Sequence, residues 1–202
     1  MMRYGMVIDL LRCMGCGACS VACRAEHGTP SGISHTKVKI LEIGEYPNAR
    51  MKFLPMPCMH CKEPPCKEVC PTDATSKQDD GLVLIDKDEC IGCGSCIVAC
   101  PYGSRELLVE KKSHYEGHNP TPYETKKGDN YREGTAVKCD FCLQRLEQGR
   151  LPACVEACPA QSRTFGDVED PESDISKILE KHEAISVGDD SSTGPSVYYI
   201  KG

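Results

Sequence analysis

The chain of 202 residues carries 16 Cys, 3 Phe and no Trp, with a formal net charge of −6. Its cysteines are bunched in fours, which argues against a secreted disulfide scaffold, and its Lys and Arg are dispersed among 30 acidic residues, which argues against nucleic-acid binding. No stretch approaches the roughly 18 apolar residues of a membrane-spanning helix, and the first residues show neither an apolar secretion segment nor a twin-Arg, so no export address is expected on this polypeptide.

Tyr4, Met6, Val7, Ile8 and Leu10 make a short apolar run that reads as a strand. It leads into Cys13-x2-Cys16-x2-Cys19-x3-Cys23, where Gly15 and Gly17 permit positive φ and let three sulfurs turn inward around a cube of iron and sulfide. Cys23 lies four residues beyond the third cysteine, so its sulfur is expected to serve a different cluster, as in two-cluster ferredoxins. Arg24 stands where the ferredoxin pattern has Pro. Residues 24–27 should complete a short helix ended by Gly28 and Pro30. Val38, Ile40 and Ile43, then Met51, Phe53 and Leu54, read as a hairpin turning at residues 44–48.

The second motif is Cys58-x2-Cys61-x4-Cys66-x3-Cys70, with Pro64 and Pro65 stiffening its wider loop and Pro71 stopping any helix that carries Cys66 and Cys70. His60 lies inside it, and with every thiol position filled it is expected to pack rather than to ligate. Residues 81–86 are another strand candidate and lead to Cys90-x2-Cys93-x2-Cys96-x3-Cys100. At an offset of 77 residues, ten of the eighteen positions from 6 to 23 recur, including Ile8-Asp9 as Ile85-Asp86 and all four cysteines. Strand, turn and cluster loop are therefore an internal repeat. Residues 103–138 have clustered Lys and Glu, several Gly and Pro and little apolar periodicity, and are expected to form a long surface insertion, either a solvated loop or a docking arm. The fourth motif, Cys139-x2-Cys142-x11-Cys154-x3-Cys158, is a stretched form of the second, its excursion a short helix closed by Gly149. Ile175, Ile178, Leu179 and His182 suit an amphipathic helix after Pro171, and residues 196–200 suit a terminal strand.

Four groups of four cysteines fit four 4Fe-4S clusters with none left over. The exchange of the fourth cysteine requires the motifs to work in pairs, and both a neighbour-with-neighbour and a nested pairing satisfy it. Covalent haem is excluded because Gly17, Lys62, Gly94 and Leu143, not His, follow the paired cysteines. A zinc-binding structural protein is the alternative of a different class, and iron and sulfide analysis separates it. Four thiolate-bound cubanes would add roughly −8 to the charge. Arg12, Lys62, Lys67 and Lys138 adjoin ligands and are expected to raise the potential of the nearest cluster. No nucleophile, acid-base pair or phosphate loop stands out, so no catalytic site is expected in this chain.

The order of the motifs, their compact and widened spacings, the insertion before the fourth, and Pro152-Ala-Cys-Val-Glu-Ala-Cys-Pro159 resemble the iron-sulfur subunits of the dimethyl sulfoxide reductase family of molybdopterin oxidoreductases, over nearly the whole chain. Gly44-Glu-Tyr-Pro-Asn48 and Arg163-Thr-Phe-Gly-Asp-Val-Glu-Asp-Pro-Glu-Ser173 are most similar to the polysulfide and thiosulfate reductase type, with the respiratory arsenate reductase type close behind. The fold expected is α+β: two interlocked ferredoxin-like halves related by a pseudo-twofold repeat, with surface insertions and a C-terminal extension. Residues 1–56 and 134–165 would form the first half with motifs one and four, residues 57–102 the inserted second half with motifs two and three, residues 103–133 the insertion and residues 166–202 the extension.

The resemblance also implies the nested pairing. Cys13, Cys16, Cys19 and Cys158 would hold one 4Fe-4S cluster, and Cys23, Cys139, Cys142 and Cys154 the second. Cys58, Cys61, Cys66 and Cys100 would hold the third, and Cys70, Cys90, Cys93 and Cys96 the fourth. The function implied is relay of single electrons between a molybdopterin catalytic subunit and an integral membrane quinone-reactive subunit, in a reductase of sulfur or arsenic compounds such as polysulfide, thiosulfate or arsenate. Export with a twin-Arg partner to the outer face of the cytoplasmic membrane is expected, a cytoplasmic location being the alternative. A hydrogenase or formate dehydrogenase complex is the alternative setting for the same electron relay.

Overall fold

The apolar run at residues 4–10 becomes β1 (Tyr4–Asp9), followed by α1 (Ala18–His27), whose last turn closes on Gly28 in the left-handed region at φ 63°. The expected hairpin is β2 (Lys37–Ile43) with β3 (Arg50–Met56), paired antiparallel from Lys37↔Met56 to Ile43↔Arg50. Next come α2 (Pro65–Glu68), β4 (Thr75–Lys77), β5 (Val83–Ile85), α3 (Ser95–Val98) and β6 (Arg105–Leu108). Then follow α4 (Pro122–Gly128), β7 (Thr135–Lys138), α5 (Leu143–Leu146) and α6 (Ala153–Glu156). The chain continues with β8 (Arg163–Asp167), α7 (Asp174–Lys181), β9 (Ala184–Ile185), a single 3-10 turn at Ser191–Thr193, and β10 (Val197–Ile200). This computed structural model describes residues 2–186 and 191–201. Residues 187–190 and 202 of the expected C-terminal extension lie outside the described residues, as does Met1.

Short helices among four small sheets make an α+β arrangement, as expected. The largest sheet has the order β8-β1-β10-β9, with β1 parallel to β10 and antiparallel to β8. Successive side chains of β1 point to opposite faces, and both faces are covered, which is why Met6, Val7 and Ile8 are all apolar. Met6 and Ile8 join Phe165, Val197, Tyr199 and Phe141 in the main core. Val7 meets Ile175 of α7 and Ile200 on the other face. Ser173 caps α7, its hydroxyl accepting from the Ser176 amide at 3.2 Å, and His182 falls just beyond that helix.

Two expectations change. Residues 103–138 are not a plain surface insertion. Their ends pair as a two-stranded sheet, β6 with β7 from Arg105↔Lys138 to Leu108↔Thr135, and Leu108 is fully buried. The segment between carries α4, whose Tyr123 hydroxyl donates to the Ala25 carbonyl and whose Lys127 ammonium donates to Glu26 O at 2.6 Å. Those carbonyls end α1 and have no partner within their helix, so α4 caps it. The C-terminal segment is likewise no appendage: β8 runs across the expected boundary at residue 165, and β10 supplies an inner strand of the main sheet. Lys62 N and Glu63 N donate to Gly194 O and Thr193 O at 2.7 and 2.9 Å, so this segment also braces the second motif.

Candidate metal centres

Each compact motif is positioned by the same turn. Asp9 Oδ1 accepts from Leu11 N (2.9 Å) and Arg12 N (3.3 Å), and Cys13 N donates to Asp9 O at 3.1 Å. In the repeat, Asp86 Oδ1 accepts from Asp88 N (2.8 Å) and Glu89 N (3.4 Å), and Cys90 N donates to Asp86 O at 3.1 Å. The recurring Ile-Asp therefore converts strand into cluster loop by a side-chain-stabilised turn. Beyond the turn, Gly15 and Gly92 hold φ 70° and 68°. A Cβ at Gly15 would overlap the Phe53 ring of β3, and one at Gly92 would overlap the Gly134 carbonyl. In the widened motifs, Pro64 and Pro152 stand at the N-caps of α2 and α6, the single turns that carry Cys66 and Cys154.

The cysteines converge. One small cavity is lined by Cys70 together with Cys90, Cys93 and Cys96, beside Thr75, Ile85 and Ala136. A second is lined by Cys58, Cys61 and Cys66 together with Cys100, beside Val83, Tyr102 and Arg105. Helix α1 packs against α6, which brings Cys19 and Cys23 toward Cys154. Arg145 ties these helices together from a buried position, pairing with Glu26 at 2.6 Å and with Glu156.

Burial divides the cysteines. Cys23, Cys139, Cys142 and Cys154 are all buried, as are Cys58, Cys61 and Cys66, with Cys100 half-buried. Cys16 and Cys93 are exposed, and Cys13, Cys158, Cys70 and Cys90 are half-buried. Around the exposed pair, Met14 and Val21 near Cys16 and their repeat counterparts Ile91 and Val98 near Cys93 are exposed apolar side chains.

Electrostatics follows the same division. Burial pushes the Cys142 thiol up to about 12 and the Cys61 thiol up to about 11; Cys23, Cys139 and Cys154 are raised for the same reason. Thiols this reluctant to ionise become thiolates when a metal replaces their protons, so the donor set fits iron. At Cys158 and Cys70 the upward push of burial is outweighed by hydrogen bonds from Ser162 and from Thr75 and Thr72, and hydrogen bonding with Ser95 lowers Cys93.

The cations expected to act on the clusters are mostly misplaced. Arg12, Lys62 and Lys67 are exposed, and only Lys138 is buried. The sequence reasoning missed Arg105, whose Nη2 lies 3.0 Å from Cys66 Sγ, and Arg163, whose Nη1 lies 3.5 Å from Cys154 Sγ. A signal was present: each stands five residues after a motif's last cysteine, in Cys100-Pro-Tyr-Gly-Ser-Arg105 and Cys158-Pro-Ala-Gln-Ser-Arg163. His27 was missed too. It lies one helical turn beyond Cys23, with Nε2 3.3 Å from Cys142 Sγ and 3.6 Å from Asp140 Oδ1. His60 packs, as expected: it is buried and accepts from Val83 N through Nδ1 at 3.0 Å, and burial holds its pKa well below the usual histidine value.

A 4Fe-4S dicluster domain family matches residues 49–116 and again 104–168, and a second 4Fe-4S dicluster domain family matches residues 12–74. The arsenate respiratory reductase iron-sulfur subunit ArrB of Shewanella sp. (strain ANA-3) is 38% identical across 99% of this chain and 97% of its own length. A selenate reductase subunit of Mesobacillus selenatarsenatis is 41% identical across 98% of this chain and 72% of its own. A tetrathionate reductase subunit of Salmonella typhimurium is 39% identical, again over 98% and 72%. The chain belongs to the iron-sulfur subunits of the molybdopterin oxidoreductases. The iron-sulfur subunit is an electron-transfer component of an oxidoreductase complex, and its 16 cysteines match four 4Fe-4S clusters, in place of the structural zinc considered as an alternative. Each cluster, when bound, takes up and gives back one electron. Membership implies a catalytic partner. Among the described residues of the iron-sulfur subunit, no helix is long and apolar enough to cross a membrane.

Proposed function

We propose that this chain passes single electrons along four nested cluster sites. Site one is Cys13, Cys16, Cys19 and Cys158; site two is Cys23, Cys139, Cys142 and Cys154. Site three is Cys58, Cys61, Cys66 and Cys100; site four is Cys70, Cys90, Cys93 and Cys96. The observation that carries it is that two cavities are each lined by four cysteines drawn from two motifs, in the combinations of sites three and four. Sites one and two would close in the same way around α1 and α6, giving two interlocked ferredoxin-like halves in pseudo-twofold relation. The half of motifs one and four would occupy residues 1–56 and 134–165, and that of motifs two and three residues 57–102.

The two sites with exposed ligands, one and four, would exchange electrons with partners, and the two enclosed sites would join them. The exposed apolar side chains around Cys16 and Cys93 favour protein contacts there. One partner would be the molybdopterin subunit and the other a membrane quinone-reactive subunit, with the complex on the outer face of the cytoplasmic membrane. The substrate class is an oxyanion or polysulfide of sulfur, arsenic or a neighbouring element, in keeping with the relatives' names.

Alkylation of the holo-chain with Cys70→Ser, mapped by mass spectrometry, tests the pairing. Nested sites expose Cys90, Cys93 and Cys96 to the reagent. Exposure of Cys13, Cys16 and Cys19 instead would show that neighbouring motifs pair. Intact anaerobic protein should contain about sixteen iron and sixteen sulfide per chain.

A further inference from the structure

Three cations are buried without a carboxylate partner among the described residues: Arg105, Lys138 and Arg163. Arg105 begins β6 and Lys138 ends β7, and the two face each other directly in the register. Like charges opposite one another on a sheet repel, and a buried charge without a counter-ion is costly. The hydrogen bonds in view do not remove that cost. Arg105 donates to Thr75 Oγ1 at 2.9 Å and to Cys66 Sγ at 3.0 Å, and its Nε has no partner. Lys138 donates to Cys139 O at 2.6 Å. Arg105 lines the cavity of Cys58, Cys61, Cys66 and Cys100, and the charge of Lys138, opposite it in the sheet, acts on the same Cys66 sulfur.

We propose that Arg105 and Lys138 make the site of Cys58, Cys61, Cys66 and Cys100 the highest-potential site of the chain, where an electron is held between partners. This rests on the ligand sets given above. Reduction adds one electron and makes a site one unit more negative, so a fixed cation that water does not screen favours the reduced form. The site of Cys23, Cys139, Cys142 and Cys154 has Arg163 on Cys154 and Lys138 on the Cys139 carbonyl, but beside Cys142 it also has the carboxylate of Asp140, whose effect is opposite. Of the two sites with exposed cysteines, the site of Cys70, Cys90, Cys93 and Cys96 shares Arg105 through Cys96, and the site of Cys13, Cys16, Cys19 and Cys158 feels Arg163 through Cys19 and Cys158. Each has one such cation, and an exposed ligand where water screens it. Lys67 adjoins Cys66 in sequence but is exposed, so water screens it.

Redox titration of the anaerobic holo-chain, followed by electron paramagnetic resonance, tests this. Cys100→Ser should remove the step of highest potential. Loss of a lower step, with Cys58, Cys61 and Cys66 newly open to alkylation in the same variant, overturns the proposal while leaving the ligand sets standing. Continued protection of those three overturns the ligand set instead, and the proposal with it. Arg105→Gln and Lys138→Gln should each shift the highest step to lower potential, and Lys67→Gln should leave it in place. If the Gln variants fail to load, Arg105→Lys keeps the charge, and the highest step should then stay the highest. An unchanged potential in loaded Arg105→Gln and Lys138→Gln overturns the proposal.

Discussion

His60 and Phe141 stack face to face, with ring centroids 3.8 Å apart and planes 22° apart. They are the same position in two motifs, the residue before the second cysteine of Cys58-x2-Cys61 and of Cys139-x2-Cys142. Both take positive φ, 43° and 57°, and both are buried. The stack therefore joins the loops of two different cluster motifs through dry, packed contact, with Phe165 edge-on to Phe141 at 5.2 Å.

Phe141→Ala should cost about 3–5 kcal/mol, the usual loss for a buried aromatic ring. His60→Phe preserves the stack but removes the acceptor of Val83 N, an orphaned buried amide that should cost about 1–3 kcal/mol. Urea denaturation of holo-protein, read by loss of cluster absorbance, should rank the two in that order. Equal costs would mean that the ring contact adds nothing.

Glycine substitutions should separate conformational cost from collision. Gly17 and Gly94 take φ 74° and 78° with open space around an added Cβ, so Ala there should cost about 1–2 kcal/mol and permit loading. At Gly92 the Cβ meets the Gly134 backbone carbonyl, which cannot swing aside, and Gly92→Ala should lose iron. Gly15→Ala meets the Phe53 ring and should fall between them. Iron per chain after identical anaerobic preparation gives the ranking, and a loaded Gly92→Ala would contradict it.

In chain stripped of iron, thiol reactivity should follow burial. Cys93, lowered by its hydrogen bonding with Ser95, should alkylate first near neutral pH. Cys61 and Cys142, raised to about 11 and about 12, should stay protonated at neutral pH and accelerate only as pH climbs toward those values. Mass-spectrometric rates at several pH values check this, and uniform labelling at pH 7 would show that the stripped chain has lost the packing around its sulfurs.

The arm that carries α4 should loosen in acid. Glu124 accepts from Thr121 N and His114 N, both at 2.8 Å, which holds its carboxyl down to about 2. A depressed folded value means that the stabilisation is full above the unfolded value of about 4.3 and disappears as pH falls toward about 2. Thr121→Ala should remove about 1 kcal/mol of capping at neutral pH. Amide exchange over residues 113–131 should report both, and an arm insensitive to either change would make the cap incidental.

The sequence was most legible where periodicity and turn chemistry agree. β1, the hairpin of β2 and β3, α1, α7 and β10 all stand where apolar spacing and Gly or Pro punctuation placed them. The strands that escaped are short or carry inward charge. Thr75, Ser76 and Lys77 of β4 show no alternation, and β6 and β7 bury Arg105 and Lys138 at positions where an ordinary core would have Leu or Val. Polarity at these positions reads as surface because an anionic interior cannot be inferred from local pattern. For the same reason the exposed Lys62 and Lys67, adjacent to ligands in sequence, were preferred over arginines that approach the sulfurs only after folding.

β1 is bordered on one side by residues 163–167 and on the other by residues 197–200. Neither neighbour is within 150 positions of it in the chain. On the ribosome, the first cysteine loop must therefore wait, unsupported, for a sheet that far later residues complete, whereas the loops of Cys58 and Cys90 find their hairpin of β4 and β5 close at hand. The loop translated earliest is the one whose scaffold is finished last.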